Sequence, residues 1–179
     1  MKNQNFTATL LVAQSPAEVY HAILTPHAWW SEEISGATAH EGDIFNYHFE
    51  DIHRCQIKLT EVVPDKKVVW WVLDNYFKPG IFDTAGKLPK SDGFVNDKAE
   101  WIDTQIVFEI TALNGQTQLK FTHKGLIPDY ECYDVCANGW SHYIQESLYG
   151  LITTGKGQPN STDQPMTTDE EKFTAAGRA

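Results

Sequence analysis

An α+β domain is what this sequence predicts: a curved antiparallel sheet wrapped around one long C-terminal helix, with two short helices after the first strand. Three observations carry that prediction. Apolar residues recur at every second position in runs such as Phe6 to Val12 and Trp101 to Ile110, the period of strands with one buried face. Asn114-Gly115 separates two such runs, and Asn-Gly is the strongest short hairpin signal. From Tyr133 to Thr154 the apolar spacing changes to three and four, which is the stripe of an amphipathic helix.

The first strand places Phe6, Ala8, Leu10 and Val12 on one side, with Thr7, Thr9 and Leu11 on the other. Ser15-Pro16-Ala17-Glu18 then opens a helix. Ser15 caps it, Pro16 occupies a position whose N–H would be unpaired anyway, and Glu18 reaches back to the cap. Val19, Tyr20 and Ile23 form its buried side, and Pro26 ends it. His27-Ala28-Trp29-Trp30 forms a second short helical turn whose indoles anchor against the sheet. Three strands follow, Ile44 to Phe49, Cys55 to Val63 and Val68 to Leu73, with Pro64-Asp65-Lys66-Lys67 as a tight turn between the last two.

Periodicity stops from Asp74 to Lys98, where prolines and glycines stand among lysines and aspartates. Residues 74–98 therefore read as a loop insertion, and loops of this length in a compact domain are usually functional. Its Tyr76, Phe77, Ile81, Phe82 and Phe94 offer apolar anchors over a cavity mouth. The next strand puts Ile102, Thr104, Ile106, Phe108 and Ile110 on one face, and the strand after the turn does the same with Leu119, Phe121 and His123. The closing helix buries Tyr133, Cys136, Trp140, Tyr143, Ile144, Ser147, Leu148 and Leu151. Its roughly 22 residues extend about 33 Å, enough to cross a small sheet. Gly155 caps its end. The domain is assigned to residues 1–158, and residues 159–179, poor in apolar side chains, are expected to be a flexible tail.

A chain of 179 residues is the size of one domain with one core. Its formal net charge of −10 disfavours nucleic acid and anionic membrane as partners. No apolar run is long enough to span a bilayer, and the N-terminus lacks the pattern of a secretory signal. Three cysteines, Cys55, Cys132 and Cys136, are an odd number for a disulfide framework and fit a reducing compartment. The expected location is the cytoplasm.

The order of elements, with Ser15 to Tyr20, Trp29-Trp30, Trp101 to Phe108, Phe121-Thr122-His123-Lys124-Gly125-Leu126 and Gly139 to Gly155, resembles the helix-grip fold of the START and birch-pollen-allergen superfamily. Within it the chain is similar to the single-domain group named for the activator of the heat-shock-protein-90 ATPase. The resemblance covers about Phe6 to Pro159. It implies a cavity between sheet and closing helix. It leaves function open, since members include lipid and hormone carriers, polyketide cyclases and stress-related proteins, and fold does not fix function.

Thr104, Phe108, Phe121, His123, Trp140, Tyr143 and Ser147 are the candidate ligand-binding residues, a mostly apolar wall with a few polar groups. His123 can hydrogen-bond a ligand carbonyl or act as acid or base. The competing reading is a structural histidine bonded to backbone or to a residue of the closing helix. The Tyr143 and Ser147 hydroxyls, one turn apart, have the same alternative in packing. Cys132 and Cys136 lack the second pair that structural zinc usually needs, so no metal is expected. No nucleophile elbow or phosphate loop is present, and Gly155-Lys156-Gly157 reads as a helix stop. No cofactor and no catalytic residue are assigned.

The favoured function is non-enzymatic binding of a small, largely apolar molecule. One alternative is a protein-interaction or chaperone-regulating module that presents an aromatic patch including Trp29, Trp30 and Phe77. Another is a cyclase or hydrolase acting through His123. The oligomeric state, monomer or homodimer, stays open.

Overall fold

The computed structural model describes residues 4–78, 100–130 and 132–177. Seven strands form one antiparallel sheet: β1 (Phe6–Val12), β2 (Ser35–Gly36), β3 (Ile44–Phe49), β4 (His53–Val63), β5 (Lys67–Phe77), β6 (Gln105–Leu113) and β7 (Gln116–Lys124). Their order is β1-β7-β6-β5-β4-β3-β2. Strands two to seven thus meander, and β1 closes the far edge against β7. The connection from β1 to β2 must cross the whole sheet, and it carries α1 (Pro16–Ile23) and a 3₁₀ turn at Pro26–Ala28.

The local signals act as expected at the start of this crossing. Ser15 and Glu18 form both halves of a capping box, with Ser15 N–H donating to the Glu18 carboxylate at 2.7 Å. Trp29 and Trp30 are buried, and both stack on Trp70 of β5 at about 6 Å. The β6–β7 hairpin turns on Asn114 and Gly115, both at positive φ, as the primed turns that match strand twist require.

The closing helix is one continuous run built from three pieces: α2 (Tyr133–His142), a π-helical turn at Tyr143–Leu148, and α3 (Tyr149–Thr154). The wider turn keeps Tyr143, Ile144, Ser147 and Leu148 all buried. Gly155 ends the run in the left-handed conformation, its N–H donating to the Leu151 carbonyl. Inside the grip, Ile106, Phe108, Leu119 and Phe121 of the sheet are fully buried with Leu148 and Ile144 of the helix. Among the described residues no helix is long and apolar enough to cross a membrane.

Three segments depart from the sequence reading. Strand β5 continues past Leu73 to Phe77, because the β4–β5 register shifts between Gln56 and Ile57 and then resumes with Cys55 opposite Asn75 and His53 opposite Phe77. The shift breaks the alternation that sequence reading relies on. Asp74 to Phe77, expected in the loop, are therefore sheet, and positions 79–98 of the expected insertion lie outside the described residues. At the other side, β6 begins only at Gln105, and Trp101 to Asp103 form a turn with Asp103 at positive φ.

The third departure is the tail. Residues expected to be flexible contain α4 (Thr168–Gly177), which packs on the domain through buried Phe173 and Thr174. Asn160 ahead of it is also buried and pairs with the backbone at Ser31. The physical reason is a few well-placed contacts rather than a long apolar stripe.

Candidate functional site

Where the ends of β3, β4 and β5 meet α2 and α4, the structure leaves a cavity of about 70 Å³. Its walls are mostly rings. The sheet contributes Tyr47, Phe49, His53 and Phe77, the turn before β6 contributes Trp101, and Trp30 and Trp140 stand with them. Trp30 stacks on Tyr47 at 4.2 Å, His53 on Phe77 at 4.1 Å, and Trp101 on Trp140 at 5.6 Å. These side chains support one another, so the wall keeps its shape without an occupant.

Gly139 of α2 lines the same cavity, and among the described residues a Cβ placed on it would meet nothing within 4 Å. A glycine inside a helix costs roughly 0.5–1 kcal/mol relative to alanine. Here packing does not demand it. Its effect is to leave space beside the rings.

The tail closes one side with Thr167, which caps α4, and with Asp169, Glu170 and Phe173 of the helix itself. Glu170 is the hub. Its carboxylate accepts from the Tyr143 hydroxyl at 2.5 Å, from Asn160 Nδ2 at 3.0 Å and from the backbone N–H groups of Met166 and Thr167. The Glu170 N–H in turn donates to the Thr167 hydroxyl oxygen at 3.1 Å. Thr167 and Glu170 thus form a second capping box. Asn160 Nδ2 also reaches the Tyr47 hydroxyl at 3.2 Å. Burial and the nearby Glu170 charge push the Tyr143 and Tyr47 hydroxyls well above their ordinary range, so both stay protonated.

His53 is the titratable ring in the wall. Its Nε2 donates to Asn75 Oδ1 at 2.9 Å, and burial lowers its pKa to about 4. It is neutral near pH 7.

Of the seven residues selected from sequence, Trp140 and Tyr143 line this cavity, and the other five lie elsewhere. Phe108 and Phe121 pack against each other at 5.3 Å in the aromatic core. Thr104, His123 and Trp140 form one hydrogen-bonded chain: Trp140 Nε1 donates to His123 Nδ1 at 3.0 Å, and His123 Nε2 meets Thr104 Oγ1 at 2.8 Å. His123 is fully buried with both ring nitrogens engaged, and desolvation lowers its pKa to about 3. Ser147 Oγ donates to the Trp29 carbonyl at 2.7 Å and accepts from Gln158 N–H at 2.6 Å. The polar atoms of these core residues already have protein partners.

Sequence reasoning missed Tyr47, His53, Gly139 and the tail. The first two come together only through strand register. Glu170 did carry a signal: Thr167-Thr168-Asp169-Glu170 repeats the Ser/Thr-x-x-Glu pattern of Ser15 to Glu18.

Cys55, Cys132 and Cys136 are free and buried, and burial raises the Cys55 and Cys132 thiols. Among the described residues no three His, Cys, Asp or Glu side chains cluster so as to hold a metal ion.

Solved structures share this architecture. The Aha1 dimer from Colwellia psychrerythraea is 25% identical, with a TM-score of 0.63, over 86% of this chain and 99% of that one. Protein MLL2253 from Mesorhizobium loti is 16% identical, with a TM-score of 0.56, over 82% and 95% of the two chains. CalU16 from Micromonospora echinospora is 13% identical, with a TM-score of 0.53, over 96% and 85%. The last two show the fold alone. No curated protein matches the sequence. The family model described as Activator of Hsp90 ATPase homolog 1-like protein matches residues 13–153, which leaves α4 outside the matched segment. With that match over most of its length, the chain belongs to the Activator of Hsp90 ATPase homolog 1-like family.

Proposed function

We propose that the domain binds a small, largely apolar molecule, without reacting with it, in the ring-lined cavity between the sheet, α2 and α4. The observation that carries this reading is Gly139: a helical glycine whose Cβ position meets none of the described residues, set beside the ring-bearing walls of the cavity. Stability is forgone there, and a retained binding space is the physical return. A mostly apolar pocket with a few polar groups is the usual form of a small-molecule site. Its size selects a small ligand, or one end of a longer one. The three free, buried thiols support a reducing compartment such as the cytoplasm.

Two other readings have less support. The His123 enzyme lacks an accessible base, since both ring nitrogens are bonded inside the core. An interaction module built on Trp29, Trp30 and Phe77 lacks exposure, because all three are buried. A different patch keeps a protein partner as the second reading: Trp71 and Leu73 of β5 are 40% and 36% exposed.

Gly139→Leu tests the proposal. Wild-type protein should retain a small molecule in native mass spectrometry or bind a small apolar probe, and the variant should lose that binding while its circular dichroism is unchanged. Gly139→Ala should raise stability by about 0.5–1 kcal/mol. Undiminished binding by Gly139→Leu would remove the cavity from consideration.

A further inference from the structure

We infer that the cavity selects a small organic cation, an ammonium carrying methyl groups, through its ring walls and the negative charge of the tail helix. This rests on the binding reading above and adds a charge to it.

The rings supply the first half of the selectivity. Trp30, Tyr47, Trp101 and Trp140 bound one small space. Rings of this type attract cations through their electron-rich faces, and enclosures of them recognise quaternary ammonium groups. The space of about 70 Å³ is several times the roughly 10–15 Å³ that admits one water, the scale of a compact head group.

Charge supplies the second half. Asp169 and Glu170 are in the wall, and among the described residues no lysine or arginine is. Glu170 is only 9% exposed. Its hydrogen-bond donors, Tyr143, Asn160 and two backbone amides, are all neutral. Among the described residues no cationic side chain pairs with it, and its partners are dipoles. A cation entering the cavity meets the field of that carboxylate in poorly screened surroundings, and an anion is repelled by it. His53, neutral near pH 7, adds no opposing charge.

Trp101 adds a hydrogen-bond donor. This wall residue is 4% exposed, and among the described residues its indole N–H has no hydrogen-bond partner. An oxygen acceptor on the same ligand would satisfy it, which makes choline an apt probe. Because α4 lies outside the family-matched residues 13–153, the charge selectivity is a feature of this chain's tail, laid over the shared fold.

The test uses the full chain at low ionic strength with three probes of one shape: choline, its uncharged isostere neohexanol, and the anion tert-butylacetate. Choline should bind roughly tenfold more tightly than neohexanol or better, and the anion should not bind. Asp169→Asn, at a partly exposed position, should weaken choline by roughly threefold to tenfold and leave neohexanol unchanged. Glu170→Gln should do the same where it folds. Equal or tighter binding of neohexanol would overturn the cation inference and leave the binding reading standing. Choline binding that neither variant weakens would also overturn it. Failure of all three probes would overturn both.

Discussion

The indole nitrogen of Trp140 in α2 donates a 3.0 Å hydrogen bond to Nδ1 of His123 in β7. Because Nδ1 accepts, the proton of the neutral ring resides on Nε2 and points at Thr104 Oγ1, 2.8 Å away. The Thr104 hydroxyl in turn donates to the Trp101 carbonyl at 2.5 Å. One directed chain therefore runs from the closing helix through the sheet to the turn that carries a cavity wall. Its effect is to hold Trp101 and Trp140 in place.

Breaking that chain in the middle should be costly. Thr104→Val keeps the shape but leaves the His123 Nε2–H and one Trp101 carbonyl lone pair without this partner, a loss of about 1–3 kcal/mol. Urea unfolding measures it, and a cost below about 0.5 kcal/mol would show that the chain contributes little.

Acidification should destabilise the fold through the same ring. His123 is lowered from its ordinary 6.5 to about 3 by burial, and His53 to about 4. Between those values and 6.5 the unfolded chain binds protons that the folded chain refuses, so stability is complete above 6.5 and is lost as pH falls. The two rings together predict a loss on the order of 2–4 kcal/mol between about pH 7 and pH 5, an interval in which most carboxylates stay ionised. His123→Gln, although less stable at neutral pH, should show a shallower decline. Parallel pH profiles for the two proteins would exclude His123 as a source of the sensitivity.

Gly125 ends β7 at a φ of +98°, and a Cβ on it would stand 2.7 Å from Thr104 Cγ2. Gly125→Ala combines left-handed strain with displacement of Thr104, so it should cost at least about 1–2 kcal/mol. A Trp140 indole resonance shifted in the variant would show that the displacement travels along the hydrogen-bonded chain.

The tail helix should open separately from the sheet. Phe173 is 6% exposed and anchors α4. Phe173→Ala should speed amide exchange throughout Thr168–Gly177 by at least about tenfold, while protection in β6 and β7 changes little. Equal loss of protection in the sheet would make the tail part of one cooperative unit.

Much of the fold was legible because its signals are local. Ser15 and Glu18, the Asn114-Gly115 turn, the Gly155 cap and the alternation around Phe108 and Phe121 each act within a few residues. The strand Asp74–Phe77 was hidden because the Leu73 irregularity breaks the alternation. The tail was hidden because one buried phenylalanine and a Thr-x-x-Glu box do not make an apolar stripe. The site was least legible. That His123 faces apolar neighbours could be read from β7, but its two partners come from positions 17 and 19 residues away. Tyr47, His53 and Phe77 become one wall only when three strands take their register.

The six tryptophans offer the most direct test of the cavity as the binding site. Indole N–H resonances can be followed while the full chain is titrated with choline or neohexanol. Shifts are expected at Trp30, Trp101 and Trp140, which line the cavity, with Trp71 on the exposed face of the sheet unmoved. No indole shift with either probe, or a shift confined to Trp71, would contradict binding in the cavity.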